Sequence, residues 1–274
     1  MKNLEEYFAD RTAISNSQLR NFVKYDKYDN RTVTPDIYYA YDNDFVKFQM
    51  TDAVVLGKMV DLYFDKSSEY FENSEKLFEK YIPVARRTWK NPEGTTEITK
   101  TMLEDFTEMV IWGNSFRRFK TILNEEETVC QNILTQTIEL VDKEWEIVEV
   151  KIKWLPDMVN VKRKLLVDLK TTGNMDMILE SLQFRGKPKL TAPYIRQLAM
   201  YNKIMWGGYT GALALLTNKW CIWIEIPNII LEKAWDIIAT DILELIEYKK
   251  NPETFEVTIF DLDKLDKEED EFKL

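Results

Sequence analysis

Histidine is absent from all 274 residues of this chain. That one absence removes imidazole general bases, Ser-His-Asp hydrolysis and the ordinary zinc sites. Cysteine occurs twice, at Cys130 and Cys221, far apart and in apolar surroundings. Two such residues read as buried thiols, and an iron–sulfur cluster would need four. Glycine and proline are scarce, eight of each, so most of the chain is expected to be ordered. No apolar run reaches the roughly 18 residues of a membrane span. The opening Met1-Lys2-Asn3-Leu4-Glu5-Glu6 lacks the charged, apolar and cleavage regions of a signal peptide. A cytoplasmic protein with no membrane partner is the expectation. Whatever chemistry the chain performs must use carboxylates, lysine, tyrosine or a hard metal.

What is present starts with acid. The net charge is −10, which argues against broad coating of nucleic acid. The distribution is uneven: residues 151–203 hold eleven Lys/Arg and only four Asp/Glu. An acidic body with one basic island would confine polyanion binding to a single groove. The other reading is that these lysines are solvated strand faces and turns. The last fourteen residues, 261–274, carry seven acids and three lysines. They read as a solvated acidic tail or as a hook for a basic partner.

Hydrophobic content of 45% supports one large domain, here residues 1–260, with a helical insertion at about 66–136. Ser15 or Ser17 can cap a helix carrying Leu19, Phe22 and Val23 on one side. Residues 26–47 read as a loop with short extended pieces, and 51–64 as a buried helix. Residues 102–123 form a strongly amphipathic helix, with another expected at 126–136. Strands are expected at about 137–142, 145–154, 158–162 and 164–170, followed by a variable connection over 174–192. A helix from Pro193 to about Trp206, strands at 211–218 and 219–226, and a long amphipathic helix at 229–249 complete the pattern. The fold class is α/β (α+β): a small mixed central β-sheet flanked by helices.

The most informative stretch is Trp154-Leu155-Pro156-Asp157, then Lys162-Arg163-Lys164, then Asp168-Leu169-Lys170. The basic triplet lies near the midpoint between the two aspartates. A hairpin centred there sets Asp157 against Asp168 on neighbouring strands. Antiparallel partners have Cβ atoms about 4.5–5.5 Å apart, and opposed like charges are destabilising. Such a placement calls for a cation between them. Period-two alternation puts Lys170 on the face of Asp168. Downstream, Gln197 and Tyr201 are four apart and share one side of their helix.

In this order the segments resemble the PD-(D/E)xK nuclease superfamily over roughly residues 12–225, in the branch of the RecB nuclease domain, lambda-type exonuclease and RecE-like (exonuclease VIII-like) domains. The residues that carry the resemblance are Ile14-Ser15-Asn16-Ser17-Gln18-Leu19, the Gly57 to Asp61 segment, Asp157, Asp168-Leu169-Lys170, and Gln197 with Tyr201. RecB-like and RecE-like members usually carry histidine in the first motif. Asp61 stands there in this chain, as a carboxylate does in lambda-type members, and it suits a hard cation equally well.

The resemblance implies a restriction-endonuclease-like core and a phage or prophage recombination-type exodeoxyribonuclease, using Mg²⁺ with Mn²⁺ as a substitute. Asp61, Asp157, Asp168 and the carbonyl of Leu169 would be the metal ligands. Lys170 would hold the attacking water or stabilise the transition state. Gln197, Tyr201, Thr171 and Arg20 would contact substrate, with Arg86 and Arg87 as further phosphate contacts. Duplex DNA ends are the implied partner, in a bacterial or phage-infected cell. A single-strand annealing or other recombination protein, and further copies of the chain, are implied associates. Three alternatives stand beside this: an endonuclease of the same superfamily, an inactive nuclease-fold binding or regulatory protein, and an acidic interaction protein.

Overall fold

The computed structural model describes residues 4–43, 45–46, 51–64, 100–130 and 133–254. Arg86, Arg87, the first part of the expected insertion and the acidic tail lie outside the described residues. In chain order the elements are α1 (Leu4–Ala9), α2 (Asn16–Phe22), β1 (Val23–Tyr25), β2 (Arg31–Val33), α3 (Pro35–Asp42), α4 (Asp52–Phe64), α5 (Lys100–Ser115) and α6 (Arg117–Leu123). Next come β3 (Thr128–Cys130), β4 (Leu134–Val141), β5 (Ile147–Trp154), β6 (Met158–Asn160), β7 (Leu165–Thr171) and α7 (Met175–Ser181). The described chain ends with β8 (Gln183–Phe184), β9 (Lys187–Pro188), α8 (Pro193–Ile204), β10 (Thr210–Leu216), β11 (Cys221–Ile226) and α9 (Asn228–Lys250).

The central sheet has five strands in the order β11-β10-β7-β6-β3. Only β7 and β10 run parallel, linked across α7 and α8; the other pairs are antiparallel. Strand β7 is buried from Leu165 through Leu169 because helices cover both sheet faces. Leu165, Val167 and Leu169 pack with Val60, Phe64, Met109 and Phe119 of α4, α5 and α6. On the opposite face Leu166, Leu213 and Leu215 meet Ile195 and Leu198 of α8 and Ile238 of α9. Asp168 is the polar exception inside this apolar run, with no exposed surface. The fold is mixed α/β, and no helix among the described residues is long and apolar enough to cross a membrane.

The opening motif is stitched to the sheet system rather than merely capped. Ser15 caps α2 and forms a reciprocal capping box with Gln18. One residue earlier, the Ile14 amide donates to Lys151 O at 2.8 Å and Ile14 O accepts from the Lys153 amide at 3.0 Å. These bonds fix α2 against β5.

Several expectations need correction. The helix expected at 126–136 is instead β3 and the start of β4, and β3 joins the central sheet by pairing with β6. Short runs such as Thr128-Val129-Cys130 carry no usable period, and pairing partners decide their conformation. The helix expected at 102–123 breaks at Phe116 into α5 and α6. The loop expected over 26–47 contains α3, whose Pro35 occupies its first turn. Tyr38 of α3 packs edge-on against Phe22 and Tyr248, a tertiary contact that outweighs the loop-like local composition. The connection over 174–192 contains α7 and the two-residue strands β8 and β9.

Candidate functional site

The hairpin β6–β7 pairs Met158 with Val167, Val159 with Leu166 and Asn160 with Leu165. One step further along this register sets Asp157 opposite Asp168, and one more sets Pro156 opposite Leu169. Proline has no N–H to give the ladder, and at this step the Leu169 N–H is bonded by a side chain instead of a strand carbonyl. The Asp157 carboxylate accepts the Leu169 N–H at 2.6 Å. A residue's N–H and C=O in an antiparallel ladder address the same neighbour. The Leu169 carbonyl therefore faces the Asp157 side, where Pro156 offers it no donor.

Around this pair the charges are dense. Lys170 Nζ donates to Asp168 Oδ1 at 2.8 Å, as alternation along β7 requires. Gln197 Nε2 donates to the same oxygen at 3.0 Å and to the Tyr201 hydroxyl at 2.7 Å. The Tyr201 hydroxyl donates to Leu155 O at 3.4 Å, and its ring lies against Trp154 with centroids 5.4 Å apart. The other Asp168 oxygen, Oδ2, is buried with no hydrogen-bond partner among the described residues. An unsatisfied buried carboxylate oxygen is costly, so this atom marks a place for a donor or a cation.

The electrostatics follow from the crowding. Burial pushes the Asp157 carboxyl well above the usual carboxylate range; the Lys170 ammonium opposes this, and the Asp168 and Asp61 charges reinforce it. Burial also works against the Lys170 ammonium, yet Asp168, Asp157 and Asp61 outweigh it and hold the group charged beyond the usual lysine range. Burial raises the Tyr201 phenol strongly, with Asp168 and Asp157 adding to the effect, so it remains a neutral hydrogen-bonding group.

Asp61 reaches this field from the other side of the sheet. A Cβ on Gly57 would stand 3.0 Å from Thr171 Oγ1, so the missing side chain lets α4 press against the end of β7. Asp61, one turn further on, then faces the same way, and its charge acts on both Asp157 and Lys170. Among the described residues no three His, Cys, Asp or Glu side chains are gathered as a ready-made ligand set. The carboxylates that act on one another beside Lys170 are Asp157 and Asp168, with the Asp61 charge added. All-oxygen donors suit a small hard cation, and the unpartnered Oδ2 of Asp168 fits that role.

Thr171 ends β7 against Gly57, and Thr172 closes the following turn through Asn174. Arg20 lies exposed in the last turn of α2 and makes none of the contacts described for the aspartate–lysine cluster. Tyr194 was not anticipated: Lys170 Nζ sits 5.9 Å from its ring centroid. Its position three residues before Gln197 puts it on the same helix side, a signal the sequence already carried.

The basic island is largely consumed internally. Lys153, Lys189 and Arg196 are buried, while Lys151, Lys162 and Arg163 pair with Asp10, Glu127 and Glu125. Its count of cations overstates what a polyanion could meet.

No protein-family profile and no curated protein matches this chain. Among solved structures, the crystal structure of SSO0001 overlaps 70% of this chain and 76% of its own, with 13% identity and a TM-score of 0.25. A likeness that slight decides neither fold family nor activity.

Proposed function

We propose that this protein is a Mg²⁺-dependent deoxyribonuclease built on the PD-(D/E)xK core, in the branch of RecB, lambda-type exonuclease and RecE-like domains. The observation that carries the reading is the register of β6 and β7. It opposes Asp157 to Asp168, seats Lys170 on Asp168 and leaves Asp168 Oδ2 without a partner among the described residues. The sequence of strand, strand, helix and parallel strand from β6 to β10 supports the restriction-endonuclease-like arrangement.

In this reading Asp157, Asp168 and the Leu169 carbonyl would hold the cation, with Asp61 adding to the negative field. A bound divalent ion supplies charge neutralisation at a phosphodiester and acidifies the attacking water. Lys170 stays protonated and is a donor toward the phosphate as negative charge grows there. Gln197 fixes the Asp168 carboxylate from α8. Tyr201 ties Gln197 to the backbone before the Pro156 break, so both orient ligands rather than exchange protons. Tyr194 backs the Lys170 ammonium with its ring. Duplex DNA ends are the proposed substrate, degraded to expose single strands for recombination.

The test is end-labelled linear duplex incubated with Mg²⁺, comparing wild type, Lys170→Ala and Asp168→Asn. Short labelled products from wild type alone, with closed circular DNA left intact, is the expected result. Cleavage of the circle would instead assign an endonuclease, and linear DNA untouched by wild type in Mg²⁺ or Mn²⁺ would overturn the enzymatic reading.

A further inference from the structure

The hairpin β4–β5 carries a stripe that the site does not use. Its inner side chains, Ile138, Leu140, Val150 and Ile152, are buried in the core. On the outer face the register sets Val141 directly across from Ile147, and Glu139 directly across from Glu149. Val141 and Ile147 are 55% and 66% exposed. The turn between them is fixed by Asp142, which accepts the amides of Glu144 at 3.0 Å and Glu146 at 2.8 Å. Within this turn Trp145 has φ 65°, a conformation bulky side chains rarely adopt, and its indole is 86% exposed.

Each feature is unfavourable in isolation. Opposed carboxylates repel, an exposed apolar pair gains nothing from water, and a left-handed tryptophan is strained. The next outward pair is Thr137 and Lys151, and the Lys151 ammonium is already bonded to Asp10 at 2.9 Å. One kind of cover would relieve the repelling carboxylates and bury both the apolar pair and the exposed indole.

We propose that the outer face of this hairpin is a docking surface for a basic amphipathic segment of another protein. A cationic side chain would enter between Glu139 and Glu149, and apolar side chains would cover Val141, Ile147 and Trp145. Charge complementarity selects the occupant. Across residues 139–149 five acids, Glu139, Asp142, Glu144, Glu146 and Glu149, stand against one lysine, Lys143, so a cationic partner is favoured there over nucleic acid or anionic lipid. The surface is independent of the proposed nuclease site.

The probe is a fluorescent synthetic helical peptide with arginine on one side and leucine on the other, titrated into the full chain by anisotropy. Its counterpart carries glutamate in place of arginine. Wild type is expected to bind the arginine peptide only, and less tightly as salt rises. Glu139→Gln/Glu149→Gln and Trp145→Gly should each weaken binding by about tenfold or more. Neither change should lower the melting temperature, since one removes repulsion and the other gives the φ 65° position a residue that accepts it. A lower melting temperature would overturn the reading of the stripe as strained. Equal binding of both peptides, or equal loss in the control Glu232→Gln/Asp236→Gln on α9, would overturn the docking surface. Sedimentation showing self-association that Trp145→Gly abolishes would assign the stripe to a second copy, also overturning the proposal.

Discussion

The Asp157 side chain, in place of a strand carbonyl, takes the backbone amide of Leu169 just past the last paired residues of β6 and β7. The carboxylate accepts the Leu169 amide at 2.6 Å, at the register step where proline interrupts the ladder. One side chain thus terminates β6, holds β7 and stands across from Asp168.

This dual role separates two substitutions. Asp157→Asn keeps an acceptor for the Leu169 amide and should unfold close to wild type in urea. Asp157→Ala leaves that amide unsatisfied and should cost about 1–3 kcal/mol. Both should abolish Mg²⁺ binding by calorimetry, because both remove the charge.

Acidity offers a second test. The folded-state pKa of Asp157 is raised, so the folded protein holds that proton more tightly than the unfolded chain does. Its contribution to stability is complete below the ordinary carboxylate pKa and is lost as pH rises through the raised value. In EDTA, wild-type melting temperature should fall across that window, and Asp157→Asn should flatten the fall. Adding Mg²⁺ should favour the ionised form and restore stability at the upper end. A melting curve for Asp157→Asn parallel to wild type would rule out Asp157 as the source.

Removing the ammonium strands a buried charge. Asp168 has no exposed side-chain surface and Lys170 is its ion-pair partner at 2.8 Å. Lys170→Ala should destabilise the metal-free protein by about 3 kcal/mol, the lower end of the cost of breaking a buried pair, because the Lys170 side chain is itself 26% exposed. Mg²⁺ should recover part of this loss without recovering DNA cleavage, measured by denaturation and by the end-label assay.

The approach of α4 can be tested through Gly57. Alanine in a helix interior gains about 1 kcal/mol over glycine, but here the added Cβ meets Thr171 Oγ1 at 3.0 Å. Gly57→Ala should weaken Mg²⁺ affinity in the wild-type background by displacing Asp61. In a Thr171→Ala background the same change should stabilise the fold and leave affinity unchanged. A double-mutant cycle with no coupling would remove Gly57 from the site's construction.

Far from the carboxylates, Asp241 of α9 is fully buried and bonds Arg196 at 2.6 Å, Arg31 at 2.9 Å and the Tyr25 hydroxyl. Asp241→Ala should cost about 3–5 kcal/mol by leaving the Arg196 guanidinium buried without its counter-ion. Chemical denaturation reports this loss directly.

Local pattern determined much of this protein. Two strands around a basic turn fix a register by arithmetic, so the opposition of Asp157 and Asp168 and the shared face of Asp168 and Lys170 could be read in advance. The four-residue spacing of Gln197 and Tyr201 gave their common helix side for the same reason: period is a property of neighbours in sequence. Tertiary structure decided what spacing cannot encode. Gln197 bonds Asp168 because α8 crosses β7, and Asp61 joins the field because a glycine admits α4 to the strand end. The helix expected at 126–136 became strand because β6 offered Thr128, Val129 and Cys130 a ladder. Likewise the basic island of 151–203 lost much of its reach once folding brought Asp10, Glu125, Glu127 and Asp241 to its cations. Contacts between distant segments depend on which surfaces pack together, and packing is settled only by the whole chain.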